Sequence, residues 1–136
     1  LAGMKILQFA FDGNLDNPYL PENIKEENWI VYTGTHDNST SLGWWREMDQ
    51  GRKEQLRERI FDYENFTSWE LIRIGMETKA KLFVAPMQDL LNLDDSCRLN
   101  KPGTTENNWS WRLPRNDLNI RDALKKYGDL AKANKR

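Results

Sequence analysis

The segment from Trp29 to Trp45 constrains the fold more than any other part of the chain. It opens with β-branched and aromatic residues, Ile30–Thr33, which favour a buried strand. Four polar residues, Thr35–Asn38, come next, and apolar residues then return at helical spacing. A strand that runs through a polar turn into a helix is typical of parallel sheets, whose sites lie at the carboxyl ends of strands. The pattern therefore predicts a site at His36, the single histidine, and Asp37.

Predicted strands and helices alternate along the rest of the chain, which is the order of an α/β protein. The predicted strands are Lys5–Phe11, Trp29–Thr33 and Lys81–Ala85. The predicted helices are Thr40–Met48, Arg52–Tyr63, one that follows a capping box at Thr67–Glu70, a short one opened by Pro86, and a last one capped by Asn119, with Ile120, Leu124, Tyr127 and Ala131 on its buried face.

The length of the chain limits which α/β architecture it can complete. A (β/α)8 TIM barrel takes about 250 residues, whereas this chain has 136. Three strands are also too few to close a barrel. We therefore expect residues 1–136 to form a single incomplete domain, a part of a barrel, and we expect the polypeptide to extend before Leu1.

Composition argues against several classes of partner. The chain has 20 basic and 21 acidic residues without a basic block, so a nucleic-acid partner is not expected. Apolar runs such as Leu82–Ala85 are far shorter than the ~20 residues that span a membrane, so no membrane partner is expected. The single Cys97 cannot form an internal disulfide, which favours a reducing, cytoplasmic compartment.

Several motifs, in the same order, resemble one enzyme family. Thr33–Asn38, followed by Leu42–Trp45, is similar to the seventh-strand signature of the amylomaltases, the 4-α-glucanotransferases or disproportionating enzymes of glycoside hydrolase family 77. Other blocks resemble the sixth strand, the segment after it, the eighth strand and a late loop; these are Gly3–Phe11, Asn17–Pro21, Ala85–Leu91 and Pro102–Thr104 with Asn108–Arg112. Ser39 and Ala2 depart from the family pattern of Asp and Pro, but neither position supplies a reacting group.

The resemblance implies the C-terminal part of a TIM barrel, about strands six to eight with their helices. It implies a retaining transfer of α-1,4-glucan segments between malto-oligosaccharides, or glucans derived from starch or glycogen, without a cofactor or a metal. The nucleophile and the acid/base of the family lie on strands four and five, so this chain lacks both and is expected to be inactive alone. Asp37 is expected to stabilise the transition state, while His36 and Asn38 bind substrate. A cytoplasmic location is expected, or a plastid location for a plant protein.

Three further residues, Gln88, Asp89 and Trp109, are candidates at the rim of the site or in a loop beside it. Gln88 and Asp89 follow a predicted strand, where a rim role competes with capping of the short helix, and capping is slightly favoured. Trp109 and Trp111 are two positions apart, so in extended backbone they share a side, which suits either a sugar platform or burial.

Two alternatives to a glucanotransferase fragment stay open. The missing nucleophile and the Trp-rich loop also suit a non-catalytic module that binds α-glucan or another protein. A weaker alternative is a metal-dependent hydrolase that uses His36, Asp37 and Asp94, although Asp94 and Asp95 are expected in a solvated turn. If the chain is a barrel fragment, its unpaired strand edges and uncovered apolar face predict self-association.

Overall fold

A three-stranded parallel sheet organises the chain in a computed structural model that describes residues 1–115 and 118–136. The strands are β1 (Gly3–Ile6), β2 (Trp29–Tyr32) and β3 (Leu82–Val84), and β2 lies in the middle. The register pairs Gly3 with Trp29 and Ile30 with Leu82. Because all three strands are parallel, their carboxyl ends meet at one edge of the sheet, as the sequence predicts.

Five α-helices are present in the described part of the chain, and most lie where the sequence predicts them. They are α1 (Ser41–Glu47), α2 (Gln50–Gln55), α3 (Trp69–Met76), α4 (Met87–Leu90) and α5 (Leu118–Ala133). Short 3-10 turns occur at Leu7–Phe9, Pro21–Asn23, Arg57–Arg59 and Asp95–Cys97. Within residues 1–115 and 118–136, no helix combines the length and the apolar character that crossing a bilayer requires.

The two faces of the sheet differ in burial. Residues that pair across one register row, Val31 and Phe83, are buried against the helices, at 0% and 6% exposure. On the opposite face Met4 and Leu82 remain about half exposed. The core therefore lies between the sheet and its helices, with the fully buried Leu71 and Ile72 of α3 at its centre.

The first predicted strand is wrong in its second half. The apolar run Lys5–Phe11 was expected to be extended, but the strand ends at Ile6 and a 3-10 turn covers Leu7–Phe9. Leu7 and Ala10 are fully buried all the same. Apolar side chains are buried equally well in a turn and in a strand. An apolar run of this length therefore does not distinguish a buried turn from a buried strand.

The second predicted helix is also shorter than expected. Arg52–Tyr63 was predicted as one helix, but α2 ends at Gln55 and the Arg57–Arg59 turn replaces its middle part. The first residues of α2 lie before the predicted start, because the Asp49 side chain caps it by accepting from Arg52 N over 3.0 Å.

Three predicted helix caps are wrong. Glu70 does not reach back to Thr67, since its carboxylate accepts from the N–H groups of Phe61 and Asp62 instead. Pro86 is the N-cap of α4 rather than its first helical residue. Asn119 lies inside α5.

The buried face of α5 also differs from the prediction. Leu124 is 49% exposed, and Ala123 is buried in its place. Tyr127, Leu130 and Ala131 complete the face that packs on the core. The true stripe is thus shifted by one position from the predicted one at Leu124, a shift that the 3.6-residue period alone does not resolve.

Candidate active site

The polar residues at the carboxyl end of the sheet are tied together across strands. Gln8, which follows β1, donates its backbone N–H to Thr33 O over 3.3 Å and its side-chain amide to Ser39 O over 2.9 Å. Gln8 is buried at 6% exposure. The end of β1 therefore holds both sides of the loop that follows β2.

The loop between β2 and α1 is shaped by Asn38. Its side-chain oxygen accepts from both the backbone N–H and the hydroxyl of Thr35, each over 2.8 Å. The backbone N–H of Asn38 donates to Thr35 O over 3.1 Å. The carbonyl oxygen of the Asn38 amide is thus committed to the turn, which makes Asn38 a residue that shapes the loop on which His36 and Asp37 stand.

His36 and Asp37 lie at the tip of this loop and face solvent. Their side chains are 56% and 50% exposed, and His36 Nε2 lies 3.3 Å from Asp37 Oδ1. The Asp37 carboxylate is therefore open to a ligand rather than enclosed in an apolar interior. A carboxylate in this position offers acceptor oxygens to hydroxyl groups and a negative charge to a developing cation.

A distant segment, Arg98–Asn100, binds the same loop. The Asn100 side chain donates to Asp37 Oδ1 over 2.7 Å, and its backbone N–H donates to His36 O over 3.1 Å. The Arg98 guanidinium donates to Asp37 O over 2.7 Å and to Ser39 Oγ over 3.1 Å. Hydrogen bonds therefore join the loop to a segment about 60 residues away in sequence.

Trp109 lies against His36. The two ring centroids are 5.1 Å apart with the planes tilted by 39°, and Trp109 is 53% exposed. Its backbone N–H donates to Leu99 O over 2.6 Å. Trp109 has a positive φ of 58°, so the backbone is not extended there, as the expected shared side of Trp109 and Trp111 requires.

Asp89 and Gln88 are buried beneath the loop, at 1% and 5% exposure. The Asp89 carboxylate accepts from the hydroxyls of Thr33 and Ser41, both over 2.6 Å, and from the Ser41 backbone N–H over 2.8 Å. The Gln88 amide donates to Cys97 O over 3.2 Å. Asp89 thus caps the first residue of α1 instead of its own helix and joins the end of β2 to the start of α1.

Burial raises the pKa of the Asp89 carboxyl above its usual value. The hydrogen bonds from Ser41 and Thr33 act in the opposite direction, because they stabilise the ionised form, but burial has the larger effect. A negative charge at this position therefore costs free energy that an exposed carboxylate would not cost.

The residues proposed for a metal-dependent hydrolase do not form a cluster. Among the described residues, no three or more His, Cys, Asp and Glu side chains converge as metal ligands would. Asp94 accepts instead from the hydroxyl and the N–H of Ser96, which lower the pKa of its carboxyl, and from Arg46 over 3.2 Å. Asp94 is thus the cap of a short, solvated turn, in agreement with the expectation that it lies in such a turn.

The surface around His36 is concave on the uncovered face of the sheet. A cleft of about 350 Å³ is lined there by side chains from the three strands and the loops that follow them, including Met4, Tyr32, Thr35, His36, Val84 and Pro86. Such a cleft, at the carboxyl ends of parallel strands, is the usual place for a ligand in an α/β fold.

Three residues of the site were not singled out from the sequence, namely Gln8, Arg98 and Asn100. Gln8 was counted within a predicted strand, and the other two lie in a loop without periodicity. The Asn100–Gly103 segment shows only a turn signal, which gives no indication of a contact with Asp37.

The chain is similar in sequence to known proteins of one enzyme family. The sequence model of the 4-alpha-glucanotransferase family, glycoside hydrolase family 77, matches residues 1–118. A chloroplastic/amyloplastic 4-alpha-glucanotransferase of Arabidopsis thaliana is 41% identical over 94% of this chain, and the 4-alpha-glucanotransferase of Thermus thermophilus is 43% identical over 83%. The chain spans about a quarter of the length of these relatives, 24% in both cases.

A solved structure is similar over nearly the whole chain. The amylomaltase from Streptococcus agalactiae in complex with acarbose matches 97% of this chain and 27% of its own, with 29% identity and a TM-score of 0.83. The predicted fold class, part of a (β/α)8 barrel, is confirmed by this match and by the parallel sheet. The sequence, the fold and these matches together place the chain in the 4-alpha-glucanotransferase family, glycoside hydrolase family 77.

Proposed function

We propose that this chain is one part, a single incomplete domain, of a 4-α-glucanotransferase barrel that transfers α-1,4-glucan segments between malto-oligosaccharides. The proposal depends above all on one observation: the Asp37 carboxylate is half exposed at the carboxyl end of the central strand, beside His36. Its family, and relatives whose names carry this activity, support the same conclusion.

In this proposal Asp37 acts on the sugar ring and not on the bond that is made or broken. Retaining transfer uses one carboxylate as nucleophile and a second carboxyl as acid and then base, through an oxocarbenium-like transition state. Both of those groups belong to strands outside these 136 residues. Asp37 contributes negative charge near the cationic ring and accepts from sugar hydroxyls, and His36 donates a hydrogen bond to a neighbouring hydroxyl. We expect transition-state stabilisation by Asp37 to be the largest contribution of this chain to catalysis.

The full-length protein that contains this segment provides the test. Incubated with maltotriose, it should release glucose and form longer glucans. Asp37→Asn keeps the size of the side chain but removes the charge, so it should lower kcat by about 100-fold or more. Asp62→Asn is a matched control, because Asp62 lies in an exposed turn where it accepts from Asn65. Equal activity of the two variants would contradict the role of Asp37.

The 136-residue chain alone should show no transfer, because it supplies neither nucleophile nor acid/base. Formation of glucose and longer glucans from maltotriose by the isolated, purified chain would contradict this.

The cellular location belongs to the same proposal. The relative from Arabidopsis thaliana is among those designated chloroplastic/amyloplastic, and we expect this protein in the cytoplasm, or in the plastid if its source is a plant.

A second candidate function is favoured by the exposed His36–Trp109 pair. An indole face beside a donor and an acceptor is suited to bind a sugar even without chemistry. The isolated chain would then act as an α-glucan-binding module. Titration calorimetry with maltoheptaose separates the candidates: heat that saturates, and that Trp109→Ala removes, supports binding by the chain alone. No heat, together with transfer by the full-length protein, leaves only the first.

A further inference from the structure

The contacts of Asn100 go beyond what is needed to close a loop. Its backbone N–H donates to His36 O over 3.1 Å, and its backbone carbonyl accepts from the Arg98 guanidinium over 2.9 Å. The backbone of Asn100 is therefore held on both sides. A side chain that starts from a fixed backbone has few rotamers, so its amide meets Asp37 in a defined direction.

That amide meets only one of the two Asp37 oxygens. Asn100 Nδ2 lies 2.7 Å from Oδ1, and His36 Nε2 lies 3.3 Å from the same atom. Among residues 1–115 and 118–136, the structure assigns no hydrogen bond to Oδ2. The hydrogen bond from Asn100 to Oδ1 fixes the rotation of the carboxylate and leaves the other oxygen available to a ligand.

The backbone beneath the carboxylate is fixed by Arg98. Its guanidinium donates to Asp37 O over 2.7 Å and to Ser39 Oγ over 3.1 Å. Asp37 and Ser39 are on either side of Asn38, whose own side chain closes the turn onto Thr35. The loop is thus held at its backbone by Arg98 and at its functional side chain by Asn100.

We propose that Asn100 is a positioning residue for the reaction: it orients the Asp37 carboxylate so that Oδ2 is presented to the sugar, and Arg98 fixes the backbone on which that carboxylate stands. This inference rests on the proposed function, since it names what aligns the residue placed there on the transition state. Asn100 itself does not touch the substrate. A loss of alignment by about 1 Å is enough to lower a rate by roughly 100-fold.

The substitution Asn100→Asp tests this directly. It preserves shape but replaces the donor with a second carboxylate at hydrogen-bond distance from Asp37. At neutral pH the two negative charges repel and the alignment is lost, so kcat should fall about 100-fold with KM changed much less. At acidic pH the two carboxyls share a proton, which again provides a donor between them. The ratio of variant to wild-type kcat should therefore rise about tenfold or more between pH 7 and pH 5.

Normalising to the wild type removes only those effects of pH that the substitution leaves unchanged. His36 and Arg98 contact Asp37, and Asn100→Ala keeps both, so any recovery in acid that they cause would also occur in Asn100→Ala. Asn100→Ala, which removes the donor and offers no proton, should lose as much kcat at pH 7 but show no recovery in acid. It also serves as the second variant if Asn100→Asp does not fold, with loss of kcat at nearly constant KM as the readout.

Asn65→Asp is the matched control. Asn65 also donates its side-chain amide to an aspartate, Asp62, over 3.2 Å, but this pair lies in an exposed turn and not in the loops that form the site. The Asn65→Asp variant should retain the kcat of the wild type at every pH. A pH-independent ratio for Asn100→Asp, or activity equal to that of Asn65→Asp, would overturn the positioning role while wild-type transfer upheld the proposed function. A wild-type full-length protein without transfer would overturn both.

Discussion

The Trp109 indole lies on the His36 imidazole, with ring centroids 5.1 Å apart, although 73 positions separate the two residues in sequence. The contact joins the loop after β2 to the long loop before α5. It brings the exposed aromatic surface of Trp109 next to the donor and acceptor of the candidate site. Trp109 was predicted as a rim residue, and its contact with His36 gives that prediction a specific partner.

We predict that Trp109→Ala lowers kcat/KM more than Trp111→Ala does. Aromatic contacts of this kind are worth about 0.5–1.5 kcal/mol, so kcat/KM of the full-length protein should fall roughly twofold to tenfold. Trp109→Phe keeps a ring against His36 and should recover most of the loss. Steady-state kinetics with maltotriose measure the effect. If Trp109→Ala and Trp111→Ala are equivalent, the two tryptophans act as a common platform and the His36 contact has no special part.

The buried Asp89 carboxyl makes a prediction about pH. Because burial raises its pKa in the folded protein above the usual value near 3.8, the folded state binds a proton more tightly than the unfolded state. The stabilisation from the protonated group is therefore fully present below the unfolded pKa and is lost as the pH rises through the folded pKa. The unfolding free energy of the wild type minus that of Asp89→Asn should therefore decrease as the pH rises from the unfolded pKa of Asp89 through its folded pKa.

Urea unfolding of the two proteins at a series of pH values measures that difference. Asp89→Asn leaves the donors of Ser41 and Thr33 poorly matched and should cost about 1–3 kcal/mol at its largest. All other titrating groups are common to both proteins, so they cancel in the subtraction. A difference that increases with pH would mean that hydrogen bonding, and not burial, dominates at Asp89.

The site could be located from the sequence only as far as local patterns extend. The loop at Thr35–Asn38 follows a recognisable strand and precedes a recognisable helix, so His36 and Asp37 were placed at a strand end without a structure. The parallel order of strands follows from the same alternation. These features depend on residues close in sequence, whose spacing reports their own conformation.

The supporting contacts depend instead on residues far apart in sequence. Asp89 reaches Thr33 across 56 positions and Asn100 reaches Asp37 across 63. Neither Asp89, a buried acceptor, nor Asn100, an exposed amide, belongs to a periodic sequence pattern that would indicate its partner. Asp89 was therefore expected to cap its own helix, whereas it caps α1, and Asn100 and Arg98 were counted simply as loop. Chain topology, and not local propensity, decides these pairs.

Two helix glycines should respond in opposite directions to the same change. A Cβ on Gly75 in α3 would overlap the ring of Phe83, which is buried at 6% exposure and has little room to move. Gly75→Ala should therefore lower the unfolding free energy by about 1–3 kcal/mol. A Cβ on Gly128 in α5 would meet no atom within 4 Å, so Gly128→Ala should raise it by about 0.5–1 kcal/mol. Urea unfolding measures both, and destabilisation by both would show that α5 has closer neighbours than this packing allows.

The uncovered face of the sheet predicts self-association of the 136-residue chain. Met4 and Leu82 pair with Ile30 in one register row and are 49% and 51% exposed. Within residues 1–115 and 118–136, β1 and β3 each have one edge without a strand. Burial of such apolar surface against a second copy is favourable. Light scattering should show a mass that rises with concentration, and the double substitution Met4→Lys, Leu82→Lys should reduce it. Leu124→Lys is the matched control, since Leu124 is equally exposed, at 49%, but belongs to α5 and not to the sheet. A monomer at every concentration would mean that the apolar row is too small to drive association.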